Sequence, residues 1–121
     1  MSIRITNLTI AATNVDAMVA FYNAVLYTNF QPMELFPGTT AYRGILAGIP
    51  VLMCPNSVAQ VDAKQNRQQF DFMVDDVRTT LASALVHGGR ALQSAEEHNG
   101  MVIASVYDPD GNSMVFSQPK A

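Results

Sequence analysis

Apolar and polar positions along the chain fall into two runs that repeat one order. Residues 3–11 are rich in β-branched side chains and predict a strand. Asn14 follows as an N-cap, its side chain able to accept hydrogen bonds from the first free amides of a helix. Val15, Met18, Val19, Tyr22, Val25 and Leu26 then recur at the spacing of one helix face. Residues 29–35 predict a strand and Pro37-Gly38 a turn; 39–46 and 49–54 predict a hairpin through Ala47-Gly48. The stretch 55–67 is polar, without an apolar period, and reads as an internal linker.

The pattern then restarts. Residues 69–74 predict a strand, Asp75-Asp76 a helix cap, and Val77, Leu81, Ala84 and Leu85 a buried helical stripe. Gly88-Gly89 ends that helix as glycine does beyond a C-cap. Residues 90–93 predict a short strand and 94–100 a turn. Strands at 101–107 and 113–117 are joined by the tight-turn sequence Asp108-Pro109-Asp110-Gly111-Asn112. Each half therefore runs strand, helix, three strands. Asn7-Leu8-Thr9-Ile10 aligns with Gln69-Phe70-Asp71-Phe72, 62 residues further on. Two units are too few for a solenoid, which needs at least about three. A duplication of this kind brings equivalent faces together about a pseudo-twofold axis. The expectation is an α+β chain forming one domain, residues 1–121, with modules at about 1–60 and 61–121.

Composition narrows the classes. A chain of 121 residues with 49% hydrophobic and 14% charged side chains is a packed globular domain rather than a disordered one. The net charge is only −3 and the seven Lys and Arg are scattered, so nothing here resembles a nucleic-acid footprint. So few charges leave much neutral surface, in keeping with a homodimer. Cys54 is the single cysteine, which excludes an intrachain disulfide and a multi-cysteine metal site. Met1-Ser2-Ile3-Arg4 opens no secretory h-region, and no apolar run approaches the roughly 18 residues that span a bilayer. A cytoplasmic location away from membranes is expected, with the thiol reduced.

The stretch 8–22, ending in Ala20-Phe21-Tyr22, together with Phe72-Met73-Val74-Asp75-Asp76-Val77 and Tyr107-Asp108-Pro109-Asp110-Gly111-Asn112, resembles the glyoxalase / bleomycin-resistance / extradiol dioxygenase superfamily, the vicinal oxygen chelate fold. The resemblance covers essentially the whole chain and is specific for the fold, not for one activity. It implies paired βαβββ modules whose curved mixed sheets make an open barrel, and frequent dimers. In the enzymes it also implies a divalent metal that polarises adjacent substrate oxygens.

The resemblance places a metal-binding His on the first strand of each module, where this chain has Asn7 and Gln69. It places a carboxylate in the last strand, where this chain has Val115, and a further ligand around residues 52–54, where no carboxylate or histidine lies. Valine has no donor atom, and neutral amides are poor ligands for zinc, iron or nickel. No His falls in an expected strand: His87 sits near a helix end and His98 in a turn. No cofactor and no metal site are therefore expected. Strand alternation puts Thr9 with Asn7, Asp71 and Met73 with Gln69, and Ser113 and Ser117 with Val115. Tyr42 and Met53 are candidates for the opposite wall, or for core. Glu34, Glu96 and Glu97 read as solvated surface, and Cys54 as a buried inert thiol.

Three functions follow. The first is a metal-independent small-molecule-binding protein that sequesters a ligand in the barrel cavity or dimer groove, contacted by amide, hydroxyl and carboxylate groups among apolar walls. The second is a lyase, isomerase or dioxygenase-like enzyme, with a displaced metal site or with Asp71 as general base, set against Asp71 simply satisfied by Asn7, Gln69 or a backbone amide. The third is a structural module whose cavity is filled by its own side chains.

Overall fold

A computed structural model describes residues 2–62, 65–66 and 68–120. The chain divides into two compact units, residues 1–63 and 64–121. The first contains β1 (Leu8–Ala12), α1 (Val15–Val25), β2 (Gln31–Phe36), β3 (Thr39–Leu46), β4 (Ile49–Pro55) and a single helical turn, α2 (Asn56–Ala59). The second contains β5 (Phe70–Met73), α3 (Val77–Val86), β6 (Arg90–His98), β7 (Met101–Tyr107) and β8 (Ser113–Pro119).

Each unit is a four-stranded mixed sheet of one topology, β1-β4-β3-β2 in the first and β5-β8-β7-β6 in the second. The opening strand pairs parallel with the closing one, and the remaining pairs are antiparallel. The helix after each opening strand carries the chain across the sheet to the strand at the opposite edge.

Both crossover helices start where the sequence caps them. Asn14 Oδ1 accepts from the Ala17 amide at 3.1 Å and Asp76 Oδ1 from the Thr79 amide at 3.0 Å. α1 buries Met18, Val19, Phe21, Tyr22 and Val25 and meets β4. α3 ends in a Schellman motif: Gly88 takes φ +98°, and the Gly89 amide reaches back to the Ala84 carbonyl at 2.9 Å. Gly44 of β3 has a different reason to be glycine. A Cβ there would stand 2.8 Å from the Phe30 ring, and Phe30 is buried.

In β8, Met114 and Phe116 are fully buried while Ser113, Val115 and Ser117 are half-buried. The register matches Phe116 with Phe72 and Ala104, and Met114 with Phe70 and Val106, so these residues form the sheet's core face. That is the face α3 covers with Val77 and Ala84.

Three stretches depart from the sequence reading: β1 begins at Leu8, so residues 3–7 lie outside the strand expected over 3–11; the stretch 55–67 expected as linker opens with the end of β4 and the turn α2; and β6 is longer than expected. β6 runs through His98, across residues 94–98 that were expected to form a turn, and its pairing with β7 shifts register twice, between Ala91 and Gln93 and between Gln93 and Glu96. Each bulge inserts a residue and breaks the two-residue alternation. His98 therefore lies in a strand, paired with Met101, contrary to the expectation that no histidine does.

Candidate functional site

The face of the second sheet away from α3 carries most of the expected site residues. Across its four strands Asp71 pairs with Val115, Val115 with Ser105, and Ser105 with Gln93, one continuous row. Residues directly opposite in a ladder share a face. One row over, Ser113 pairs with Tyr107 and Tyr107 with Arg90, whose guanidinium stacks 4.8 Å from the ring centroid. On the other side Met73 pairs with Ser117, Ser117 with Ile103, and Ile103 with Glu96.

Three polar side chains on this face are tied to one another. Gln69 Nε2 donates to Asp71 Oδ1 at 3.0 Å, and Ser113 Oγ donates to Gln69 Oε1 at 2.9 Å. The exposed carboxylate of Asp71 is thus held by the Gln69 amide. Met73 is 71% exposed, a large apolar side chain left on the same face. The arrangement presents a carboxylate, an amide and a hydroxyl in fixed relation beside apolar Val115 and Met73. It can orient a small molecule through hydrogen bonds without any proton transfer.

In the first unit Asn7 and Thr9 are exposed, and Asn7 Nδ2 donates to Thr9 Oγ1 at 3.3 Å. Tyr42 and Met53 do not share their face. Met53 pairs with both Ile10 and Tyr42, on the opposite side of the sheet from Thr9. Tyr42 reaches α1 there, its hydroxyl donating to Asp16 Oδ1 at 3.2 Å, and Met53 is fully buried. Both belong to the helix-covered side, which corrects their candidacy for a cavity wall. The hydrogen bond to Asp16, then burial and the charge of Asp16, push the Tyr42 phenol above its ordinary value. Cys54 is a buried free thiol, and desolvation pushes its pKa up, away from the reactive thiolate.

Beyond these expected residues, Gln93, Ser94, Glu96, His98 and Ile103 line an open depression of about 170 Å³ on the outer part of the second sheet. Glu96 faces this depression, whereas its neighbour Glu97 pairs with Lys120 at 2.8 Å. The sequence signal for this region was a polar run with Glu96 and His98 two apart, and the two bulges concealed it.

The metal that the resemblance implies does not fit these residues. Its positions hold two amides and a valine, and among the described residues no three His, Cys, Asp or Glu side chains gather to hold an ion.

A model of a glyoxalase-like domain matches residues 7–116. Among solved structures, a genomically encoded fosfomycin resistance protein from Listeria monocytogenes superposes with a TM-score of 0.76 at 11% identity, covering 100% of this chain and 94% of that one. A glyoxalase-related enzyme from Fulvimarina pelagi gives a TM-score of 0.74 at 15% identity, covering 95% and 87%. An antibiotic binding protein from Streptomyces gives a TM-score of 0.71 at 14% identity, covering 99% of both chains. At these identities the likeness concerns the fold. No curated protein sequence matches the chain. Among the described residues, no helix is long and apolar enough to cross a membrane.

Proposed function

The chain belongs to the glyoxalase-like domain family, and on that premise we propose that it is a metal-independent small-molecule-binding protein that sequesters its ligand. The observation that carries this reading is the hydrogen-bonded set Gln69, Asp71 and Ser113 around Val115 on the face of the second sheet away from α3. Such a set orients a ligand by geometry, and the half-buried valine supplies apolar contact. Fixed mutual hydrogen bonds lower the ordering cost on binding. Neighbours of the same fold that are antibiotic-binding or resistance proteins support a small-molecule ligand. Asp71 serves as an acceptor for a ligand hydroxyl or ammonium rather than as a base.

The test is a ligand-observed NMR screen of a neutral and cationic fragment library against the whole protein. Fragments should bind saturably, lose at least about tenfold in affinity with Val115→Phe, and keep it with Arg78→Ala on the exposed side of α3. A tenfold loss corresponds to about 1.4 kcal/mol. A library without binders, or binders indifferent to Val115→Phe, would remove this reading.

A further inference from the structure

The hydrogen bonds of the Gln69–Asp71–Ser113 set run in one direction. Asp71 only accepts, so the amide nitrogen of Gln69 must point at it, which leaves Gln69 Oε1 to accept from the Ser113 hydroxyl. The Ser113 proton is thereby used. What the set offers a ligand is mainly acceptor, the remaining lone pairs of the Asp71 carboxylate and of Ser113 Oγ. A ligand must bring donors to this end of the face.

The other end of the same row has the opposite character. Ser113 pairs with Tyr107, and Tyr107 with Arg90 on the edge strand β6. The Arg90 guanidinium carbon lies 4.8 Å from the centroid of the Tyr107 ring, so the side chain leans inward against β7. Stacking of this kind holds the planar fork of N–H donors against an aromatic wall and leaves its edge free to bond. Arg90 is exposed, and among the described residues no carboxylate lies within ion-pair distance of it; the ion pair found there joins Lys120 to Glu97. The Asp108 carboxylate, next along the chain from Tyr107, is 1% exposed and is taken up by the amides of Asp110 and Asn112 and by the Asn112 side chain. A donor-only cation therefore stands at one end of this face and an acceptor-only carboxylate at the other. Val115 and the Tyr107 ring lie between them.

We propose that Arg90, backed by Tyr107, is an anion subsite that takes a carboxylate of the ligand. The ligand is then a zwitterion, with an ammonium at Asp71, a carboxylate at Arg90 and an apolar stretch between. Guanidinium and carboxylate meet as two planar forks joined by parallel hydrogen bonds, which a flexible point charge would not provide. From β5 to β6 is three strand spacings, and Arg90 leans back toward β7, so the two charged ends are separated by roughly 10–14 Å. This subsite rests on the ligand-binding reading above and names the chemistry of that ligand.

The test titrates 8-aminooctanoate, whose extended chain covers that span, into the full-length ¹⁵N-labelled protein. Octylammonium chloride, which lacks the carboxylate, is the separate probe. The amino acid should shift the amides of Arg90, Tyr107 and Val115 saturably and bind at least about fivefold more tightly than octylammonium, the effect of one charge-assisted pair at a solvated site. Arg90→Gln, at an exposed position of an edge strand, should remove that advantage and leave octylammonium binding unchanged within about twofold. Equal affinity of the two probes, indifference of 8-aminooctanoate to Arg90→Gln, or an equal loss of both probes in that variant would each overturn the subsite. If fragments sensitive to Val115→Phe bind while 8-aminooctanoate does not, only the anion subsite falls. If neither binds, the ligand-binding reading falls with it.

Discussion

At the scale of single residues, two side chains on the first sheet show how its helix-covered face is tied down. Tyr42 donates its phenol proton to Asp16 across the sheet–helix boundary, and its pKa is raised by that bond first and by burial second. A group whose folded pKa lies above its unfolded value stabilises the protein fully below the unfolded value, about 10 for tyrosine. The contribution disappears as pH rises through the higher folded value. Wild type should therefore exceed Tyr42→Phe in unfolding free energy at neutral pH, with the difference shrinking above pH ~10. Urea denaturation of both proteins across the alkaline range measures this; a gap constant with pH would contradict the assignment. Tyr42 and Met53 also show why a residue's face is hard to read from sequence. A one-residue change of register exchanges core for open face, and only the pairing of Met53 with Ile10 and Tyr42 decides it.

At the scale of elements, what the sequence made legible was what local chemistry dictates. Asn14 and Asp76 accept from the amides three residues on, and Gly88 adopts the left-handed conformation that ends α3. The Asp108–Asn112 turn is held by Asp108, whose carboxylate accepts from the amides of Asp110 and Asn112 and from the Asn112 side chain. β6 was not legible. Its bulges depend on partners in β7 rather than on its own residues, so a polar sequence at 94–98 gave no alternating signal. The end of α1 yields a prediction. Tyr27, just past the C-cap, has φ +53° and is 88% exposed, so it bears left-handed strain with little packing in return. Tyr27→Gly should stabilise the protein by about 1 kcal/mol. That would appear as a higher urea midpoint at unchanged m; a lower midpoint would contradict it.

At the scale of the whole chain, the duplication is the dominant fact. Leu8 and Phe70, Val15 and Val77, and Thr39 and Met101 open equivalent elements, each pair 62 residues apart, and both sheets have the same strand order. The halves differ in what the sheet faces away from their helices carry. The second presents the linked Gln69, Asp71 and Ser113, and the functional proposal rests on this face. Of that surface, the resemblance pointed to Gln69 and Val115, and strand alternation then set Asp71 and Met73 beside the first and Ser113 beside the second. Ser105, Gln93 and Glu96 could not be placed, because a serine in an apolar strand and a bulged edge carry no marker of their partners. The central claim is that ligand binding on this face needs no metal. The direct test is the dissociation constant of the tightest Val115-dependent fragment, measured after EDTA dialysis and again with zinc, manganese or nickel added. Values equal within about twofold, a difference of about 0.4 kcal/mol, are expected. A tightening of about tenfold or more with any of these ions, roughly 1.4 kcal/mol, would contradict the claim.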